Sequence, residues 1–200
     1  MSKFLIATKN AGKIKEFKKL LADLPFQVVS LNEFPSVFEP EETGSTFADN
    51  AILKAQSYAR QTGIPALADD SGLEVEALSG NPGVLSARYA GEKATDAENI
   101  SKLLAELNKT GDTERRTRFV CIIAVADEKS EIKFLAEGIC EGQIAEEPAG
   151  ANGFGYDPVF IPDGFSETFG ELSPDIKRQI SHRGRAVEKI IAYLRDFTAV

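Results

Sequence analysis

The sequence predicts an α/β fold in which a twisted mixed sheet is flanked by helices. Apolar runs of strand length alternate with stripes of helical spacing along the whole chain. Of the 200 residues, 42% are hydrophobic and 27% are charged, which is ordinary globular usage and excludes general disorder. Because no internal repeat or clear linker divides the chain, we expect a single domain over residues 1–200.

The N-terminal third is predicted to alternate strands and helices. Residues 4–7 form a short apolar run that indicates a buried strand, and the turn 8–13 leads into a helix whose apolar residues recur three and four positions apart. Residues 26–31 indicate a second strand. A second helix begins at Phe47 and ends at Gly63, where glycine is a common terminator.

The middle of the chain predicts more strands and a capped helix. Residues 65–68 and 73–77 indicate two strands on either side of Asp69-Asp70-Ser71-Gly72, which has the composition of a turn. Thr95 and Glu98 match a capping box that opens a helix.

The C-terminal half completes the predicted sheet and its helical cover. Residues 119–126 are apolar at consecutive positions, as in a central strand covered on both faces, and 132–144 indicate one or two further strands. An apolar stripe over 187–197 predicts the last helix. We expect the two long loops, 78–94 and 146–157, to mark the mouth of a cleft.

Charge narrows the possible ligands. The formal net charge is −8, yet residues 1–20 carry a balance of +5 and residues 175–185 one of +3, and these bracket an acidic stretch at 33–49 with −5. Such clusters suit a small polyanion bound together with a cation better than a nucleic acid, which needs a broad basic stripe. A solvated mixed surface is the alternative, and charge alone does not decide between them.

Other features favour a reduced, cytoplasmic compartment without membrane association. The longest apolar run is strand-sized, whereas a membrane span needs about 20 residues. The apolar stretch near the N-terminus is too short for the core of a signal peptide. Cys121 and Cys140 lie in strand-like contexts without a CxxC pair, which argues against a disulfide scaffold or a zinc site.

The turn over residues 8–13 has the features of an anion site. The first N–H groups of the following helix point towards the turn, and Thr8, Asn10 and Lys13 add donors around a phosphate. An ordinary turn with a surface lysine fits the segment equally well. If Lys13 holds a phosphate, its ammonium lies beside the helix N-terminus, where a cation is unfavourable until an anion arrives, so replacing it with alanine should leave the free protein unharmed or slightly stabilised.

Asp69 and Asp70 are candidate metal ligands. At the carboxyl end of a strand they would lie where ligands bind in open α/β sheets. Adjacent carboxylates raise each other's pKa unless a cation or donors neutralise them, so a Mg²⁺ site would resolve their repulsion. A solvated turn is the alternative, and no nucleophile elbow supports Ser71 as a nucleophile.

Three other segments carry weaker signals. Glu41 and Glu42 precede the helix that carries Asn50 and Lys54, and Lys54 is expected to point towards a junction. The glycine-rich loop 150–157 offers aromatic faces for a base, although loop aromatics usually pack locally. Residues 181–184 open the last helix, where His182 and Arg183 are either solvated or donate to carbonyl oxygens of a ligand.

Eight ordered motifs resemble those of the inosine triphosphate pyrophosphatase-like (RdgB-like) family. They are Thr8-Lys9-Asn10-Ala11-Gly12-Lys13, Glu41-Glu42-Thr43-Gly44, Asn50-Ala51-Ile52-Leu53-Lys54-Ala55, Ala68-Asp69-Asp70-Ser71-Gly72, Ser86-Ala87-Arg88-Tyr89, Glu147-Pro148-Ala149-Gly150, Gly153-Phe154-Gly155-Tyr156-Asp157 and Ser181-His182-Arg183-Gly184. The resemblance runs from the first predicted strand to the last helix. One small departure is Asp49, which stands where the family has a glutamate and keeps its charge.

The resemblance implies a fold and an activity. The fold is an elongated two-lobed α/β structure with the substrate cleft between the lobes. The activity is Mg²⁺-dependent hydrolysis of noncanonical purine nucleoside triphosphates, namely ITP, dITP and XTP, to the monophosphate and pyrophosphate. Members of the family are cytosolic homodimers.

The resemblance also implies roles for particular residues. Asp70 would be the catalytic residue that accepts a proton from the attacking water, supported by Asp69 and Glu41, and Glu42 and Asp70 would hold Mg²⁺. The triphosphate would contact Thr8, Lys9, Asn10, Ala11, Gly12, Lys13 and Lys54. The nucleoside would contact Ser71, Phe154, Gly155, Tyr156, Asp157, Lys177, His182 and Arg183.

Chemistry agrees with these roles but leaves two alternatives. Lysines and a metal ion neutralise phosphate charge, and donors facing O6 of the purine leave adenine unsatisfied. A Maf-like nucleotide pyrophosphatase with another base preference is one alternative, against which the 154–157 and 182–183 segments argue. A non-catalytic nucleotide-binding sensor is the other, against which Lys13, Glu42 and Asp70 argue.

Overall fold

The computed structural model describes residues 3–22, 24 and 26–198. It contains six strands and five longer helices in those ranges, joined by loops and short 3₁₀ turns. The elements are β1 (Lys3–Ile6), α1 (Ala11–Leu20), β2 (Gln27–Ser30), α2 (Phe47–Thr62), β3 (Ala66–Val75), α3 (Asp96–Thr110), β4 (Arg116–Ala126), β5 (Ile132–Ile144), β6 (Phe160–Pro162), α4 (Pro174–Ile180) and α5 (His182–Thr198). None of the helices in these ranges is both long enough and apolar enough to span a membrane.

The six strands form one mixed sheet in the order β2-β1-β3-β4-β5-β6. Strand β1 pairs in parallel with β2 and with β3, whereas β5 and β6 pair antiparallel. The predicted α/β class with a mixed sheet flanked by helices is therefore confirmed. Strands β3 and β4 lie inside the sheet, which explains why residues 66–68 of β3 and 119–126 of β4 are apolar at consecutive positions.

The chain divides into two compact units, and the expected single domain stays a prediction. The first unit comprises the chain up to Asp70, residues 121–138 and the last helix from Gly184. In this unit the sheet is covered on both faces, since Leu67 packs in a cluster with side chains of α1 and α5, while Ala66 and Ala68 pack with side chains of α2. Successive residues of β3 therefore face different helices.

The second unit comprises residues 71–120 and 139–183. Its core is formed by the parts of β3, β4 and β5 that belong to this unit, together with α3 and the segment that contains β6. Phe119, Phe160 and Phe169 form an aromatic group in this core, with ring centroids 4.5 to 6.3 Å apart. Phe119 and Phe169 of this group contact His182 and Lys177, which belong to the second candidate cluster described below.

Strand β3 corrects the predicted break at Asp69-Asp70-Ser71-Gly72. Instead of two strands around a turn, one strand runs from Ala66 to Val75, and both aspartates lie inside it rather than at its end. Both carboxylates of this segment are buried against cationic partners, and β3 lies between β1 and β4 in the sheet, with β1 paired to it at Ala66 and Leu67. Residues 132–144 likewise form one strand, β5, without a break.

The predicted helix signals are confirmed. Gly63 ends α2 in the left-handed region at φ 66°, and Thr95 with Glu98 forms the capping box of α3. The structure also shows Ser173 as the cap of α4, with Pro174 at the first helical position. The side chain of Phe197, which was expected in the stripe of the last helix, lies outside the described side chains.

Candidate active site

The first candidate cluster is built on the two aspartates of β3. Because neighbouring residues of a strand point to opposite faces, Asp69 faces α1 and Asp70 faces α2. Each meets its own lysine: Lys13 Nζ lies 2.8 Å from Asp69 Oδ2, and Lys54 Nζ lies 2.7 Å from Asp70 Oδ1. The side chain of Asp69 is 0% exposed and that of Asp70 is 10% exposed, so both charges depend on these partners.

Lys54 is the centre of the charge cluster on the α2 side. Its ammonium contacts Asp70 at 2.7 Å and Glu42 Oε1 at 2.8 Å. Burial alone lowers the pKa of Lys54, but Asp70, Asp69 and Glu42 outweigh it and hold this pKa above its usual value. Burial raises the pKa of the Asp70 carboxyl, and the attraction of Lys54 and Lys13 offsets this only in part. A carboxyl with a raised pKa is a stronger base than an exposed aspartate.

Asn50 links Asp70 to the loop that carries Glu42. The side chain of Asn50 is 1% exposed, its amide nitrogen lies 3.4 Å from Asp70 Oδ2, and its oxygen accepts a hydrogen bond of 2.8 Å from the N–H of Gly44. A Cβ at Gly44 would lie 2.6 Å from that oxygen, so only glycine allows this close approach. Asn50 was noted in the sequence but given no role; its spacing of four residues from Lys54 was the available signal.

Two carboxylates of this cluster are of the chemical type that binds magnesium. No group of three or more His, Cys, Asp or Glu side chains is placed to hold a metal in the part of the chain that the structure describes. However, Glu42 and Asp70 converge on the same ammonium, while Glu41 is exposed. Magnesium is commonly bound through one or two carboxylates, with water and substrate phosphates as the remaining ligands. Glu42 and Asp70 match that donor set.

The turn before α1 is organised by its own side chains. Asn10 caps the helix, because its side chain accepts a hydrogen bond of 3.0 Å from the N–H of Lys13, and Thr8 Oγ1 accepts one of 3.2 Å from the N–H of Asn10. Ala11 is exposed and Gly12 is half-buried. Lys9 points instead to the exposed Glu39, with 3.3 Å between Nζ and Oε2. Of the two turn lysines, only Lys13 is shown beside the aspartates.

The second candidate cluster surrounds Phe154 in the other unit. Asp157 Oδ2 accepts a hydrogen bond of 2.8 Å from the N–H of Phe154 and one of 2.6 Å from Lys177 Nζ. The Lys177 ammonium also lies 4.9 Å from the centroid of the Phe154 ring. The Lys177 and Asp157 side chains are only 9% and 3% exposed, so this ion pair is fixed in the protein. A Cβ at Gly153 would lie 1.9 Å from Asp157 Oδ2, which requires glycine there.

His182 and Arg183 are buried rather than solvated. Arg183 donates a hydrogen bond of 2.9 Å to Ser71 Oγ, and its guanidinium carbon lies 5.6 Å from the centroid of the Phe154 ring. The His182 ring stacks on Phe119, with centroids 4.6 Å apart. The cationic groups of Lys177 and Arg183 therefore both lie over the ring of Phe154, and the start of α5 supplies further polar groups to this cluster.

The two remaining loop residues are held by partners that sequence reasoning missed. Tyr156 is buried in the core and donates a hydrogen bond of 2.9 Å to the carbonyl of Ser86, so its ring is used for packing. The N–H of Gly155 bonds to Asp96 Oδ2 at 2.7 Å. Because Ser86 lies in one of the eight motifs, the sequence did indicate that it could matter for the site. Nothing in the sequence relates Asp96 to the glycine-rich loop.

Nearly the whole chain is similar to known proteins. The model of the Ham1 family matches residues 4–193. Two similar proteins are named dITP/XTP pyrophosphatase: one from Bacillus anthracis is 49% identical over 95% of this chain and 95% of its own, and one from Coxiella burnetii is 47% identical over 98% of each.

Two solved structures have a backbone fold similar to that of this chain. A HAM1 protein from Coxiella burnetii superimposes with a TM-score of 0.90 at 47% identity, covering 98% of this chain and 100% of that one. The Staphylococcus aureus Ham1 protein gives a TM-score of 0.86 at 45% identity, covering 98% and 99% of the two chains.

Proposed function

The chain belongs to the Ham1 family, and we infer from this membership that it hydrolyses noncanonical purine nucleoside triphosphates to nucleoside monophosphate and pyrophosphate. Relatives named dITP/XTP pyrophosphatase match nearly its full length at 47% and 49% identity. The single structural observation that supports this chemistry best is the convergence of Glu42 and Asp70 on Lys54, next to the Lys13–Asp69 pair.

We propose that the first cluster binds the triphosphate. Phosphoryl transfer needs charge neutralisation and positioning more than covalent help. Lys13 and Lys54 supply two fixed ammonium groups, and the capped turn of α1 presents N–H groups to an anion. Glu42 and Asp70 would hold Mg²⁺, which when bound neutralises developing phosphate charge. This dependence on magnesium is a proposal that rests on the donor set.

Asp70 is proposed to accept the proton of the attacking water. Its two oxygens are oriented by Lys54 and Asn50, so the carboxylate is held in one position. Burial raises its pKa, which strengthens it as a base. Water attack breaks the bond between the α- and β-phosphates, and the oxygen of that bond leaves with pyrophosphate.

The second cluster is proposed to recognise the purine. The Phe154 ring offers a stacking face whose position is fixed by Asp157, Lys177 and Arg183. Inosine and xanthosine present O6 as an acceptor, whereas adenosine presents an amine. Donors at the start of α5 would therefore leave adenine with unsatisfied polar groups, which discriminates strongly between bases.

A panel of nucleoside triphosphates tests the function. With Mg²⁺ present, we expect pyrophosphate release from ITP, dITP and XTP to be far faster than from ATP. The measurement scores pyrophosphate and orthophosphate separately for each nucleotide. Equal rates on ATP, or orthophosphate as the first product, would contradict the proposal.

Two further properties stay predictions from the family resemblance. The chain is expected to form a homodimer and to reside in the cytoplasm. Light scattering on the purified protein measures its molar mass, and a monomer at micromolar concentration would contradict the first expectation.

A further inference from the structure

One face of α2 carries a polar stripe that follows the loop before the helix. The stripe consists of Asn50, Lys54, Ser57 and Gln61, whose spacing of four, three and four residues places them on one side of a helix. Opposite it lies the acidic segment, which we define as residues 38–44. Both parts belong to the first unit.

The stripe contacts the acidic segment at its two ends and in its middle. Gln61 makes a reciprocal pair with the backbone of Phe38: its oxygen accepts from the N–H at 2.9 Å and its nitrogen donates to the carbonyl at 3.0 Å. Asn50 accepts from the N–H of Gly44 at 2.8 Å. Between these ends Lys54 contacts Glu42 at 2.8 Å.

Gln61 holds the backbone at the beginning of the segment by two hydrogen bonds, next to Val37, which packs against the core. The Phe38 side chain is 70% exposed, so burial of its ring contributes little there. The Lys9–Glu39 ion pair is exposed on both sides, with side chains 50% and 65% accessible, and pairs of this kind contribute little. Gln61 is itself oriented by a hydrogen bond of 3.1 Å to Ser57 Oγ.

We propose that Gln61 is a positioning residue for Glu42. By holding the backbone of Phe38, Gln61 fixes the start of the acidic segment, and with Asn50 at the other end it restricts where the Glu42 carboxylate lies. The hydrogen bonds of Gln61 go to the backbone of Phe38 and to Ser57, so it acts on Glu42 through the backbone of the segment. The inference rests on the proposed function only where it assigns Glu42 to magnesium.

The substitution Gln61→Ala tests the proposal, with Gln56→Ala as a matched control. Gln56 lies on the same helix and also donates to a backbone carbonyl, that of Ser130 at 3.1 Å, but does not contact the acidic segment. We expect faster amide hydrogen exchange over residues 38–44 in Gln61→Ala alone. We also expect the Mg²⁺ concentration for half-maximal ITP hydrolysis to rise by about 10-fold, with kcat at saturating Mg²⁺ little changed.

A double variant separates this role from a general structural one. If Gln61 acts through Glu42, then Gln61→Ala should cause no further rise in the Mg²⁺ requirement of a Glu42→Gln protein. Additive effects in the double variant, an unchanged Mg²⁺ requirement, or equal responses in Gln56→Ala would overturn the proposal. Failure of the wild-type protein to release pyrophosphate from ITP would refute the proposed function, whereas unchanged exchange over residues 38–44 in Gln61→Ala would refute the anchoring.

Discussion

Asp69 and Asp70 are neighbours in the sequence but have different surroundings. Asp69 is fully buried against Lys13, whereas Asp70 keeps 10% of its side chain exposed and contacts both Lys54 and Asn50. A group that receives a proton from water needs access to water, so Asp70 fits the role of base. Asp69 fits the role of an anchor for Lys13.

Asp70→Asn should keep the fold and lose most of the turnover. The amide is a poorer metal ligand and cannot accept a proton, and loss of a general base reduces the rate by roughly 10²-fold or more. Removing a carboxylate whose pKa is raised by burial should not destabilise the free protein strongly. ITP kinetics and thermal unfolding of the variant measure both effects. A rate near that of the wild type in excess Mg²⁺ would show that another residue is the base, and Asp69 would be the first candidate.

Lys13→Ala should lower both stability and activity. The sequence led us to expect a free protein that is unharmed or slightly stabilised, but Lys13 neutralises the buried Asp69, and removing one partner of a buried pair costs about 3 kcal/mol. We also expect kcat/KM for ITP to fall by roughly 10²-fold, or about 2.7 kcal/mol. Denaturant unfolding and ITP kinetics on one variant measure both.

A neighbouring lysine provides the control for this variant. Lys15 lies on the same helix and is exposed, so Lys15→Ala should change stability by no more than about 0.5 kcal/mol and leave the kinetics unaltered. Similar behaviour of the two variants would indicate that Lys13 is a surface lysine without a role in binding phosphate. Lys54 would then be the main cation that contacts the phosphates.

At the scale of elements, helix ends were predictable and the course of β3 was not. Capping residues and terminal glycines act locally, so Thr95 and Gly63 could be interpreted from the sequence alone. Asp69-Asp70-Ser71-Gly72 has the local chemistry of a turn. In the folded chain its two carboxylates instead pair with Lys13 and Lys54, which are distant in sequence.

The capping box of α3 gives a testable dependence on pH. Glu98 accepts hydrogen bonds from the N–H and the hydroxyl of Thr95, which hold the pKa of this carboxyl below its usual value. Its charge therefore stabilises the fold above about pH 4.3, the usual pKa of glutamate, and this contribution is lost as the pH falls through the lower folded-state value. Glu98→Gln should be less stable than the wild type at pH 7.

Urea unfolding at pH 7 and at roughly pH 3 measures this dependence. The difference between Glu98→Gln and the wild type should shrink on acidification, and a difference that stays constant would contradict the assignment. The same helix turn carries Asp96, which bonds to the N–H of Gly155, so weakening the cap is also expected to loosen the glycine-rich loop.

At the scale of the whole molecule, the order of elements and the family could be predicted, but the pairing of charges could not. The N-terminal basic cluster and the acidic stretch do meet, at Lys9 and Glu39. However, only the folded chain distinguishes Lys13, which is turned towards β3, from Lys15 and Lys18, which are exposed. Similarly, the exposure of Glu41 selects Glu42 as the inward carboxylate.

Binding of the correct nucleotide should stabilise the whole protein. In Asp70→Asn, where turnover is slow, ITP with Mg²⁺ at about 100 times its Kd should raise the free energy of unfolding by about 2.7 kcal/mol. ATP at the same concentration should stabilise much less, because adenine lacks the O6 acceptor. Thermal unfolding with each nucleotide checks this, and equal shifts would argue against recognition of the purine at O6.

Because the two aspartates face opposite sides of the sheet, their ion pairs also favour the correct register of β3. A slip of one residue in one direction would place Ser71 opposite Lys54, and a slip in the other direction would place Ala68 opposite Lys13. Either error leaves a lysine facing a side chain without charge and moves apolar residues to the wrong face. The tandem aspartates therefore discriminate against misaligned chains during folding, so that a molecule with its proposed base, Asp70, in place is also one whose central strand is correctly paired.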